Sequence, residues 1–123
     1  MSLCSSTINK FTITKAVDTT FLFTVKANGS TLPMEIGPSD SFTAVIRNLS
    51  DGQPVLTKVL TVTNALSGQI SLVITAAEAS ELTSSRGASE DRYYLRPMYS
   101  MLLLCDTANN GKFTVKVPYV YVD

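Results

Sequence analysis

Short runs of alternating apolar and polar residues, each closed by a turn signal, recur along the chain and leave little choice of fold. From Thr19 to Lys26, Phe21, Phe23 and Val25 share one side while Thr20, Leu22 and Thr24 share the other. Ser41–Asn48 sets Phe42, Ala44 and Ile46 against Thr43, Val45 and Arg47. Gln69–Ile74 aligns Ile70, Leu72 and Ile74, and Ile8–Thr14 gives a weaker version of the pattern. Such a period of two is that of half-buried β-strands. Val55–Thr63 alternates as one run with faces Val55/Thr57/Val59/Thr61 and Leu56/Lys58/Leu60/Val62, either of which could be inward. Lys112–Asp123 sends Phe113, Val115, Val117, Tyr119 and Tyr121 one way and Thr114, Lys116, Pro118 and Val120 the other. Asn28-Gly29-Ser30, Asp51-Gly52, Asn64–Gly68 and Asn109-Asn110-Gly111 punctuate the runs as turns.

One segment breaks the alternation. Thr75-Ala76-Ala77-Glu78 fits a capping box, and Ala79 and Leu82 extend it to a short helix over about 75–83, ending before Ser84-Ser85-Arg86-Gly87. Leu32–Asp40 carries Pro33, Gly37 and Pro38 and reads as an irregular connection. Pro97 lacks an amide hydrogen, which places a bulge or free edge at the start of the Tyr93–Cys105 strand. Seven or eight strands with one helix between the fifth and sixth predict an all-β, immunoglobulin-like antiparallel β-sandwich. The 123 residues fit a single domain, with residues 1–7 as a flexible lead.

Composition narrows the function. Ten basic and ten acidic residues cancel, so no electrostatic footprint for nucleic acid exists. The chain has no histidine, which removes histidine acid–base chemistry and most zinc sites. Glu78 and Glu81 are explained by capping and solvation, and no D-x-D-x-D-G calcium loop occurs, so the expectation is no enzyme, no cofactor and no metal. The first residues lack the basic and apolar regions of a signal peptide, and Met98–Cys105 is far too short to span a membrane. Synthesis in a cytoplasm is therefore expected. Cys4 and Cys105 then read as reduced thiols, with a long-loop bridge between them the alternative in an oxidising compartment.

The partner signal lies in Met98–Cys105. If Met101, Leu103 and Cys105 face inward, Leu102 and Leu104 face outward, or the reverse. Both faces are apolar, whereas a sandwich strand needs only one, so a loop such as Leu32–Asp40 or another subunit covers the second. Leu22 and Val120 add apolar residues at outward parity, and the charged stretch Arg86, Glu90, Asp91, Arg92 is either a solvated loop or a polar contact patch.

The order strand, T-A-A-E-A-S-E-L (Thr75–Leu82), charged loop, Y-Y-L-R-P-M-Y (Tyr93–Tyr99), turn and final strand resembles small immunoglobulin-like domains of tailed-phage baseplates. Phe11–Val25, Asn110-Gly111 and Val115–Val122 complete the match, which spans most of the chain. Two positions depart from it: Pro118, where those domains usually carry glycine, and Pro97 in the tyrosine-bearing strand. The resemblance, which extends to collar-type siphophage baseplate proteins, implies a structural protein of the virion tail. It would be made in the host cytoplasm, form a homo-oligomeric ring, and dock other tail or fibre proteins. The competing expectation is a secreted immunoglobulin-like adhesin, pilus-type subunit or carbohydrate-binding module with a Cys4–Cys105 bridge.

Overall fold

The computed structural model describes residues 10–26, 32–83, 97–108 and 111–122. Among them are eight strands and one helix: β1 (Lys10–Ile13), β2 (Thr19–Thr24), β3 (Ser41–Asn48), β4 (Pro54–Val59), β5 (Thr61–Asn64), β6 (Gln69–Ile74), α1 (Ala76–Ser80), β7 (Tyr99–Thr107) and β8 (Gly111–Val122). They form a five-stranded sheet in the order β1-β8-β7-β3-β4 and a three-stranded sheet in the order β2-β6-β5. All pairings are antiparallel except that of β1 with β8. The two sheets enclose one apolar core that includes Phe23, Phe42, Ile46, Leu72, Met101 and Val117. This is an all-β sandwich, and its sheet order is that of the immunoglobulin arrangement with an added hairpin strand beside the third.

The alternation in β3 and β6 places their apolar members inward as expected. The Val55–Thr63 run does not stay in one sheet. Val59 pairs with Thr43 in the larger sheet, and two residues later Thr61 pairs with Ser71 in the smaller. Between them Leu60 is buried and donates its amide to the Phe42 carbonyl at 2.9 Å, so it serves as the pivot. Alternation records which side a residue faces, not which sheet it belongs to, and a single run therefore concealed two strands.

In β8 the structure corrects the expected facing. Met101 pairs with Val117 and Tyr99 with Val120, so β8 carries one more residue than β7 in that interval. This bulge contains Pro118, whose missing amide hydrogen suits it to an unpaired position. Beyond it the parity flips. Val120 is 0% exposed, in the core rather than outward, and Tyr119 is exposed. The bulge thus falls opposite the start of β7, but the proline in it is Pro118 and not Pro97.

The helix follows directly on β6 of the smaller sheet. Its capping box is complete: the Thr75 hydroxyl accepts from the Glu78 amide at 3.2 Å and Glu78 Oε1 accepts from the Thr75 amide at 3.0 Å. Asp18, between β1 and β2, accepts from the Ala76 amide at 2.6 Å and satisfies a further N-terminal donor. After the helix, the Tyr99 hydroxyl accepts from the Thr83 amide at 2.7 Å, pinning the crossover to the start of β7. It takes the place of the tyrosine corner of immunoglobulin-type sandwiches, but reaches 16 residues back along the chain and not a few.

Leu32–Asp40 is irregular, with one bridge between Lys26 and Pro33. Met34 and Ile36 of this segment insert into the core. Gly68, at φ +68°, lets the chain cross close to this segment. Its carbonyl accepts from the Val25 amide at 2.7 Å, and the Val25 carbonyl accepts from the Met34 amide at 2.8 Å. Asp40 completes the anchoring by accepting from the Gly37 amide at 2.8 Å and the Ala108 amide at 2.9 Å.

Candidate functional site: the outer face of the larger sheet

The register settles which side of β7 is outward. Met101, Leu103 and Cys105 are buried, leaving Leu102 half-buried and Leu104 42% exposed on the outer face. β7 lies at the centre of its sheet, so each of these side chains has a neighbour on either flank. Across Leu102 stand Val45 and Lys116, and across Leu104 stand Thr43 and Thr114. One strand further, Val59 is paired with Thr43 and is 75% exposed. Val45 and Val59 therefore join Leu102 and Leu104 in an apolar stripe crossing β7, β3 and β4. Val45 was legible as an outward residue from the alternation of β3, whereas Val59 needed the pairing register to place it.

At one end the stripe becomes polar. Asp106 stands directly opposite Lys112 on β8 and Ser41 on β3. A depression of ≈ 300 Å³ lies here, lined by Ser41, Thr43, Leu104, Asp106, Lys112 and Thr114 among others. Hydroxyls, one carboxylate and one ammonium around a leucine offer hydrogen-bonding recognition beside an apolar contact. Among the described residues no group of three or more histidine, cysteine, aspartate or glutamate side chains could hold a metal ion.

The residues singled out from the sequence do not converge on one patch. Leu102 and Leu104 lie on the face just described. Leu22 is 73% exposed but belongs to β2, on the outer face of the smaller sheet, where it pairs with Ser71 near the exposed Val73. The two exposed apolar faces are on opposite sides of the sandwich. Val120, buried behind the bulge, is excluded from both. Arg86, Glu90, Asp91 and Arg92 lie outside the described residues, as does Cys4.

Two ionisable groups are tuned by structure. Lys58 on β4 contacts both carboxylate oxygens of Glu78 at 2.9 Å, tying the edge of the larger sheet to α1. The Lys58 ammonium, helped by the Thr75 amide, holds the Glu78 carboxyl below its usual range. Glu78 is thus committed to capping and bridging. The Cys105 thiol is free and buried, and burial pushes its pKa up to about 12, so it behaves as a small core hydrophobe. No helix among the described residues is long and apolar enough to cross a membrane. The sequence matches no protein-family model and no curated protein.

Proposed function

We propose that this domain is a non-enzymatic structural component of a bacteriophage tail tip or baseplate. In this reading copies of the chain assemble into a ring within the virion, made in the host cytoplasm, and dock other tail or fibre proteins. The observation that carries it is the apolar stripe of Leu102, Leu104, Val45 and Val59 on the central strands of a sheet face, where a free-standing sandwich needs polar residues. The resemblance of Thr75–Leu82 and Tyr93–Tyr99 to baseplate domains supplies the setting.

The stripe by itself makes a weak contact. Fully burying an exposed Val or Leu contributes about 1.5–3 kcal/mol. Leu104 begins only 42% exposed and Leu102 half-buried, so the stripe gains a few kcal/mol in all. Association costs roughly 4–15 kcal/mol. Closing a ring adds one contact that carries no further association cost, which supports a ring over an open row of copies.

The test is L104E together with L102S, followed by light scattering across a concentration series and circular dichroism as a fold control. Expected are an oligomeric parent and a folded variant that no longer forms the ring. A monomeric parent at high concentration, or a variant whose assembly is unchanged, would overturn the proposal.

A further inference from the structure

One edge of the larger sheet is formed by the short strand β1. Among the described strands β1, four residues long, pairs with β8 alone and is the one strand in a parallel pairing at an edge, yet it delivers Ile13 at 0% exposure to the core. It is joined to β2 by residues 14–18, and within that link Ala16 has φ +62°, the one non-glycine residue with positive φ among those described. An alanine in the left-handed region is strained by its Cβ. The far end of the link is fixed, because Asp18 accepts from the Ala76 amide at 2.6 Å and the Thr19 hydroxyl donates to the Val17 carbonyl at 3.4 Å. Strain in the turn is therefore stored between a firm anchor and a short edge strand. Straightening the link relieves Ala16 and carries β1 away from its own β8.

We propose that β1 exchanges between copies of this chain, the β1 of one copy pairing with β8 of the other through the Lys10–Tyr119 to Ile13–Val122 register seen within one chain. The occupant is the same segment in both states, so the contacts with β8 and the burial of Ile13 are conserved. The difference between the states is the hinge. A short hinge under strain is the condition that favours such exchange. This goes beyond the assembly reading above, because exchange uses the β1–β8 edge and not the stripe on the sheet face.

Ala16→Gly removes the penalty for the closed turn, and Ala16→Val raises it, because a β-branched side chain fits that region worst. Each hinge shifts the balance by about tenfold, and a dimer has two hinges, so the monomer–dimer dissociation constant should change by about a hundredfold. In A16G it rises, and in A16V it falls. Exchange itself is read by adding Thr12→Cys and Tyr121→Cys, direct partners in the β1–β8 ladder, to a Cys4→Ser chain. After oxidation and unfolding, exchanged copies give covalent dimers on a non-reducing gel, while closed copies give monomers. The expected result is a dimer band that grows with concentration, strengthens in A16V and fades in A16G. Only intramolecular cross-links at concentrations where the protein is oligomeric, or equal dissociation constants for the Ala16 variants, would overturn exchange while leaving assembly through the face standing. Cross-linked dimers should persist in L104E, because exchange does not use the face, and their loss there would overturn exchange as a separate route.

Discussion

Gly68 and Gly52 have nearly the same left-handed backbone, with φ +68° and +73°, but different surroundings. A Cβ added at Gly52 meets nothing within 4 Å. One added at Gly68 lies 2.6 Å from the carbonyl oxygens of both Met34 and Val25. Those atoms are poorly placed to retreat, since the Val25 carbonyl holds the Met34 amide and Gly68 itself holds the Val25 amide. Gly52→Ala therefore costs the backbone term alone, about 1–2 kcal/mol. Gly68→Ala adds an overpacking term of about 1–3 kcal/mol, for a total of about 2–5 kcal/mol. Against a total stability of roughly 5–15 kcal/mol this is a large loss. Urea unfolding followed by circular dichroism reads the difference. With a slope of about 1–3 kcal/mol per molar, the two midpoints should differ by about 1 M. Midpoints for G68A and G52A that agree within about 0.2 M would refute the close crossing of the Gly68 turn over Met34 and Val25.

Three further outcomes are expected. Glu78→Gln keeps the capping acceptor but loses the Lys58 partner, costing about 0.5–1 kcal/mol at pH 7. Because the Glu78 pKa is lowered on folding, its contribution is complete above the usual carboxylate pKa and is lost as the pH falls through the lowered one. Melting curves of parent and variant should then converge in acid, and a gap that widened there would contradict the ion pair. Tyr99→Phe strands the Thr83 amide and should cost about 1–2 kcal/mol with faster hydrogen exchange at Thr83, so an unchanged melting temperature counts against the corner. In a Cys4→Ser chain, the Cys105 thiol should resist iodoacetamide at pH 8 until denaturant is added, and rapid labelling of the folded protein would show that it is not buried.

Local chemistry made much of this fold readable. The bounds of β3 and β6, and the pair of reciprocal hydrogen bonds between Thr75 and Glu78, follow from residues a few positions apart. What escaped depends on distant partners. The pivot at Leu60 arises because Phe42 and Ser71 lie in different sheets, and nothing within Val55–Thr63 reports that. The flip at Pro118 needs knowledge of β7, since a bulge is a mismatch between two strands and not a property of one. For the candidate site, Leu102 and Leu104 were set apart by their doubly apolar strand, but only the pairing of Thr43 with Val59 shows how far the stripe extends.

The parallel pairing of β1 with β8 also bears on the order of folding. It joins Lys10 to Tyr119, nearly the whole chain apart, while β3 and β4 meet across a tight turn. Closing the longest loop is the entropically most demanding contact, and only a few residues reward it. Docking of the first strand should therefore come late, after the β3–β4 and β7–β8 hairpins have formed their ladders. A chain emerging from the ribosome would have Ile13 made first and seated last, with its place in the core open until β8 is complete.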